Sequence, residues 1–282
     1  MTGLLASVVI PAHNEQHVIG RCLRALTDGA ADGELDVIVV ANACDDDTAG
    51  VARSLGALVI ETAEPGKANA LNLGDARCRT FPRLYLDADI EISAAGVRDL
   101  VKALTAAGVL ACAPAPQVDI SHVGRPVRRF HTVLERLRGD RAAGLSGAGA
   151  YLLGEPAHRR VFPMPSRLIA DDALVHRTFT EAERAVVDLV SVTIRPPRTV
   201  SALIRRRARV RIGNQQLAAL GVPATEASLG MRKLFGLVRR KQVRWSDAGC
   251  FAAIVLTERA VTSARKLRRG NPAWSADRTT RS

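Results

Sequence analysis

The sequence predicts an α/β protein, a mostly parallel central sheet flanked by helices on both faces and followed by a helical, basic C-terminal segment. Two observations lead there. From Leu4 to Leu104, apolar runs of strand length alternate with stretches whose apolar residues recur at helical intervals, and that alternation calls for parallel strands joined by crossover helices. Three of the apolar runs also give way at their carboxyl ends to polar loops, where sheets of this kind bind their ligands. The chain shows no internal repeat and no low-complexity segment.

Leu4 to Ile10 is rich in β-branched residues and is expected to be a strand that Pro11 closes. Between Glu15 and Leu26, the residues Val18, Ile19, Cys22, Leu23 and Leu26 repeat at helical spacing. Leu35 to Val40 reads as the second strand, followed by a helix starting near Asp46 or Asp47, where carboxylates suit the positive end of the helix dipole. Leu58 to Ile60 is the third strand, Ala68 to Cys78 a helix, and Leu84 to Leu86 the fourth strand. Ser93 can cap the helix over Val97 to Leu104. Beyond residue 115 the alternation fades. A basic helix is expected over Val127 to Arg138, then a glycine-rich stretch from Gly144 to Ala150, and a strand from Ala185 to Ile194 that ends at Pro196-Pro197. A basic helix follows from Val200, and from Pro223 onward the pattern is helical and basic.

The chain has 282 residues, 47% of them apolar, enough for a sizeable core. Its five cysteines include no C-x-x-C pair or zinc-knuckle spacing, so free thiols in a reducing compartment are expected. No stretch approaches the ~18 to 20 apolar residues of a membrane span, and the N-terminal residues lack the features of a signal peptide. The expectation is a cytoplasmic protein, with peripheral attachment to the inner face of the membrane as a variant. The net charge of +12 is unevenly spread: residues 1 to 194 sum to −4 and residues 195 to 282 to +16. A cationic C-terminal third suits an anionic acceptor or a negatively charged membrane face. The segment from Arg232 to Arg244, running into Trp245, is expected either to rest on such a surface or to pack on the domain with its charges in water. With only 4% aromatic residues, stacking platforms for nucleic acid are not expected.

Five motifs carry chemistry. In Val8 to Glu15, Pro11 and Ala12 end a strand and lead to the Glu15 carboxylate over a strand end, where a nucleoside could sit. In Val39 to Thr48, the Asn42 amide both donates and accepts and so could pair with a base edge, while Asp45 to Asp47 read as helix-capping residues. In Pro65-Gly66-Lys67, a lysine at the mouth of a helix makes an anion site. In Leu86-Asp87-Ala88-Asp89, two carboxylates stand one residue apart at the end of an apolar strand. Extended alternation would point both to one side, where a cation must join them to keep them charged. Oxygen-only ligation suits Mg2+ or Mn2+, which would bridge a diphosphate. In Ala170-Asp171-Asp172, one carboxylate could act as general base toward an acceptor hydroxyl, or the pair could serve a helix N-terminus.

In this order the five motifs resemble family 2 of the glycosyltransferases, inverting enzymes of the Rossmann-like GT-A fold, over roughly residues 4 to 215. The resemblance implies that Pro11, Ala12 and Glu15 lie along the nucleoside and that Asn42 neighbours the base. Lys67 would approach the phosphates, and Asp87 and Ala88 would border the donor. Asp89, with Asp87, would hold the metal; Asp172 would be the catalytic base and Asp171 would adjoin the acceptor. Many relatives carry Gln-x-x-Arg-Trp followed by Gly over the diphosphate. Here Arg206-Arg207-Ala208-Arg209-Val210 and Gly213 stand in that place: Arg209 matches, Arg206 replaces the glutamine, and Val210 replaces the tryptophan associated with processive synthesis. A transferase adding one or a few sugars is therefore expected. Ala41 stands where many relatives carry an acid, so the usual base contact is altered and the nucleobase stays open; the resemblance favours a UDP-sugar, with GDP- and dTDP-sugars as the other donors, and the acceptor would be anionic, lipid-linked or a small molecule. The implied division is a donor half over 1–115, an acceptor and catalytic half over 116–220, and a basic helical extension over 221–282. A sugar-phosphate nucleotidyltransferase would open instead with Gly-x-Gly-x-Arg, which Pro11 to Glu15 does not match. A non-catalytic nucleotide- or nucleic-acid-binding protein is the other alternative.

Overall fold

The computed structural model describes residues 3–138, 144–223 and 231–267; the parts of the basic C-terminal segment at 224–230 and 268–282 lie outside the described residues. One sheet is built from β1 (Ala6–Ala12), β2 (Leu35–Asn42), β3 (Leu58–Thr62), β4 (Arg83–Leu86), β5 (Ala111–Val118), β6 (Ala150–Leu153) and β7 (Arg184–Ile194). Their spatial order is β3-β2-β1-β4-β6-β5-β7, parallel throughout except that β6 runs against β4 and β5. The helices are α1 (Ile19–Thr27), α2 (Thr48–Ser54), α3 (Lys67–Asp75), α4 (Ala94–Ala106), α5 (Arg125–Arg138), α6 (Glu155–Val161), α7 (Asp171–Thr178), α8 (Val200–Ala219), α9 (Met231–Arg239) and α10 (Trp245–Leu267).

Strand alternation divides the core in two. Val8 and Ile10 of β1 and Leu84 and Leu86 of β4 pack toward α1, α2 and α4. Val9, Tyr85 and Tyr151 pack on the other face, toward α3, α6 and α7. Burying each such Val, Leu or Ile contributes about 1.5–3 kcal/mol. A one-residue slip would exchange the two sets, so the register is firmly specified.

Two expectations are corrected at the strands. Pro11 does not end β1, which runs on through Ala12. Beyond Val9, β1 has no paired partner on the β4 side, so the missing N–H at Pro11 has no ladder to break there. β5 was hidden in the sequence by Pro114 and Pro116. It pairs with β6 only at Ala111 and Cys112, and its ladder with β7 shifts register between Pro114 and Ala115, which leaves room for both prolines. The helix caps are closer to expectation. Ser93 accepts a hydrogen bond from the Gly96 N–H at 3.1 Å, whereas Asp46, rather than the N-cap residue Asp47, accepts from the Thr48 N–H at 3.1 Å.

A third apolar cluster joins α5, α8, α9 and α10, with Phe130 stacked on Phe251 at 4.8 Å. At its border the Glu258 carboxylate, 1% exposed, pairs with Arg207 at 3.0 Å and with Arg211. His131 of α5 lies beside this border, and its Nε2 has no hydrogen-bond partner. Burial first, then the charges of Arg206, Arg138 and Arg207, hold its imidazole down to about 4. Between pH 6.5 and about 4 the unfolded chain therefore binds more protons at this residue than the folded one, so the stability it contributes is present above 6.5 and lost on acidification. With allowance for partial exposure this amounts to about 2 kcal/mol. Urea unfolding across that window should show the loss in the wild type and a flatter profile in His131→Gln; parallel profiles would refute the assignment.

Candidate active site

The chain leaves β1 for β2 and β3 on one side and returns to β4 on the other, so the sheet's switch point lies between the carboxyl ends of β1 and β4. A crevice opens at such a point because the loops from the two strands diverge.

On the β1 and β2 side, two loops are fastened together. His13 Nδ1 donates to the Asn42 carbonyl at 2.7 Å, the Asp45 N–H to Asn14 Oδ1 at 2.8 Å, and the Glu15 N–H to Thr48 Oγ1 at 2.8 Å. Pro11, Ala12 and Glu15 are all buried at this junction. Asn42 is fully buried, and its amide both donates to the Gly66 carbonyl at 2.6 Å and accepts from the Gly66 N–H at 3.2 Å. This amide thus holds the turn before α3, and that turn presents Lys67.

On the β4 side, Asp87 and Asp89 follow the strand, but not in the extended form expected. Residues 87–90 make a turn closed by the Ile90 N–H on the Asp87 carbonyl at 3.0 Å, and the Asp87 N–H is tied to the Gly149 carbonyl at 2.8 Å. Gly149 has φ +66°, and a Cβ there would stand 2.6 Å from Ile90, so a side chain would push this turn off its support. Beneath it Cys22 is fully buried, and its thiol is pushed far up, by burial first and then by Asp89, Asp87, Glu91 and Glu15. The Asp87 carbonyl lies 4.0 Å from this Sγ at the floor of the crevice.

Lys67 crosses the same floor, its Nζ lying 2.7 Å from Asp87 Oδ1 and 3.1 Å from Asp171 Oδ1. Burial alone would lower the ammonium's pKa, but Asp171, Asp87 and Asp172 together raise it well above the usual lysine value. Asp171 is 3% exposed and also accepts from the Tyr151 hydroxyl at 3.3 Å. From that position it anchors Lys67 from below. Burial is the first cause of its pKa rising to about 6, with Lys67 pulling it down and Asp172 and Asp87 pushing it up.

Asp172 is the more open of the pair. Neither it nor Asp171 caps α7 in the expected sense, since the N-cap is Ala170 and the two aspartates fill the first turn. Asp172 Oδ2 accepts from the Gly147 N–H at 2.9 Å and Oδ1 from the Ala173 N–H at 2.8 Å. The glycine-rich stretch, which had no assigned role in the sequence, thus reaches Asp87 through Gly149 and Asp172 through Gly147. His176 holds its near end, accepting from the Leu145 N–H at 3.2 Å. Residues seven apart share a helix face, and on α8 Arg206 and Gly213 are so spaced, with Arg209 between them. Gly213 presses on the backbone just before Asp171, where a Cβ would come within 2.7 Å of Ala170. Arg209, one turn earlier, shares the Gly213 side of the helix by its spacing. Arg207 and Arg211 face α10 instead.

Residues 7–155 match the family profile described as Glycosyl transferase family 2. The chain belongs to glycosyl transferase family 2. That span holds four of the five motifs and ends before the two aspartates of α7, which the fold brings to the first four. No curated protein matches the sequence. Among solved structures, the glycosyltransferase resembles glucosyl-3-phosphoglycerate synthase from Mycobacterium tuberculosis in complex with Mn2+, UDP and glucosyl-3-phosphoglycerate. The two share 22% identity over 79% of this chain and 82% of that one, with a TM-score of 0.56. It also resembles a mannosyltransferase from Pyrobaculum calidifontis in complex with GDP-Man and Mn2+, at 19% identity over 94% of this chain and 80% of that one, with a TM-score of 0.59. At these identities the likeness is one of fold, and the GT-A architecture expected for family 2 is what it shows.

Among the described residues, no three His, Cys, Asp or Glu side chains form a metal cage. The Asp87–Asp89 turn nevertheless fits a hard divalent cation, since Mg2+ is commonly held by one or two carboxylates with substrate phosphates completing the shell. Asp87 and Asp89 would supply those carboxylates.

Proposed function

We propose that this glycosyltransferase moves a sugar from a nucleoside diphosphate, UDP by preference, to a hydroxyl of an anionic acceptor, with inversion and one or a few sugars at a time. The observation that carries this reading is the bridge made by the glycine-rich stretch, which holds Asp87 and Asp172 on one backbone segment across the crevice. Asp89 and Asp87 would hold Mn2+ or Mg2+, which when bound offsets the charge developing on the diphosphate. Lys67, fixed between Asp87 and Asp171, keeps the floor from accumulating uncompensated negative charge. Arg209, and Arg206 farther along α8, would approach the phosphates from above. Asp172, oriented by two backbone N–H groups, would take the acceptor proton as the hydroxyl attacks the face of the sugar opposite the leaving group, which inverts the anomeric carbon. Val210, 51% exposed where processive relatives carry a tryptophan, supports a small number of transfers. Attachment at the inner face of a membrane belongs to the same reading.

Melting temperature with nucleoside diphosphates tests the donor half. A ligand at a hundred times its Kd that binds only the native state adds about 2.7 kcal/mol. UDP with Mn2+ should raise the melting temperature, EDTA should cancel the rise, and Asp89→Ala should lose it while melting normally without ligand. No rise with UDP, GDP or dTDP would refute the reading.

A further inference from the structure

The corner between α9 and α10 combines features that a solvated basic helix does not need. Leu234 and Val238 of α9 are buried against α5, as an amphipathic helix requires. Phe235, on the outward side, is 59% exposed, and Trp245 at the start of α10 is 70% exposed. Their rings meet at the surface, centroids 6.1 Å apart and edge to face. Residues 231 to 246 contain six basic residues, Arg232, Lys233, Arg239, Arg240, Lys241 and Arg244, and no acidic one. All six are exposed. Beside the aromatic pair is a recess of about 250 Å³ lined in part by Thr132, Arg136, Lys241 and Arg244, with Asp247, which Arg129 engages at 3.3 Å. Arg136 donates to the Gln242 carbonyl, so the turn bearing these cations is fastened to α5.

We propose that this corner docks on the headgroup layer of an anionic lipid bilayer, with Phe235 and Trp245 entering the interface and the surrounding cations meeting lipid phosphates. Paired exposed aromatics lose water on entering an interfacial layer, and an indole suits that layer because one edge is apolar and the other donates a hydrogen bond. The six charges complement an anionic leaflet, and the recess fits a phosphate ester between Arg136, Lys241 and Arg244. Among the described residues no helix is long and apolar enough to cross a membrane, so this attachment is peripheral. α8 is joined to α10, the helix that opens with Trp245, through Arg207 and Arg211 on Glu258.

The test uses the full chain and vesicles of phosphatidylcholine alone or with about one third phosphatidylserine. The wild type should sediment with the anionic vesicles only, with a blue shift of tryptophan emission that persists in Trp274→Phe. At roughly 1 kcal/mol for each basic residue near the surface, reversing three of them in Arg239→Glu/Arg240→Glu/Lys241→Glu should lower partitioning by at least about a hundredfold. Phe235→Ser/Trp245→Ser should weaken it and abolish the blue shift. Both variants replace exposed side chains, and an unchanged melting temperature confirms their fold. Equal binding to neutral vesicles, or binding that neither variant alters, would overturn the proposal. So would salt-sensitive binding to heparin or duplex DNA that ignores vesicles and survives loss of both rings, which would make the corner a polyanion site instead. None of these outcomes depends on whether UDP binds.

Discussion

Asp172→Asn is expected to lower kcat by about a hundred- to ten-thousandfold, the range that a positioned general base supplies. Asparagine keeps the shape and can accept from the Gly147 N–H through its one carbonyl oxygen, giving up the local contact to the Ala173 N–H, so the glycine-rich bridge should stay in place. The rise in melting temperature with UDP and Mn2+ should therefore match the wild type while sugar transfer is nearly lost. Turnover of UDP-sugar donors against a pool of phosphorylated acceptors measures the first quantity. Transfer within tenfold of wild type would remove Asp172 from the chemistry. Asp171→Asn gives the contrast: with 3% exposure and contacts only to Lys67 and Tyr151, its effect should fall on stability and on Lys67 more than on the proton transfer itself.

Lys67→Met should have the largest effect on stability. It removes the cation between two carboxylates, one of them buried, and breaking a buried ion pair from one side costs about 3–5 kcal/mol. The pH dependence identifies the cause. A lysine whose folded pKa is raised contributes stability that is fully present below its unfolded value near 10.5 and is lost as pH rises beyond it, so the whole contribution is present at neutral pH. Asp171 has the same sign of pH dependence in a lower window. Its pKa is raised to about 6, so the folded state holds the proton more tightly and stability falls as pH rises from 3.8 toward 6. Without Lys67 the one strong influence lowering Asp171 is gone, and that acid should titrate higher still. Unfolding in urea should then show Lys67→Met far less stable than wild type at pH 8 and closer to it at pH 5. Adding Asp171→Asn should restore most of the loss, because neighbouring substitutions that share one interaction are not additive. A deficit that is the same at both pH values and unrelieved by the second substitution would mean that packing, not charge, is at stake.

The first half of the fold was legible because its strands and helices each carry a clean period. β1 to β4 and their helices are nearly where the apolar spacing puts them, and Ser93 caps as its position suggests. The second half was legible only in part: α5, β7 and α8 lie where the sequence puts them, but β5 and the elements between α5 and β7 were missed. β5 carries two prolines, β6 is four residues long and follows glycines, and α6 and α7 are each about two turns, too short for periodicity to register. Among site residues, Asp87, Asp89 and Asp172 were visible as carboxylates beside apolar runs. The support that places them was not: Cys22, Tyr151, His176 and the glycines act through contacts up to dozens of residues away, and no local pattern announces such contacts.

What the sequence by itself determined, then, is the fold class, the family and the residue types that the chemistry needs, because these follow from short-range periodicity and from motif order. Only the tertiary structure decided how those residues divide the work. Asn42 and Asp171 are buried, one holding Gly66 and the other Lys67, while Asp172, one residue from Asp171, is left partly exposed. Adjacent residues in the first turn of a helix point about 100° apart. Which of two neighbouring aspartates faces the crevice and which faces the core is therefore set by how α7 packs against β6 and α3, and packing is a property of the folded chain.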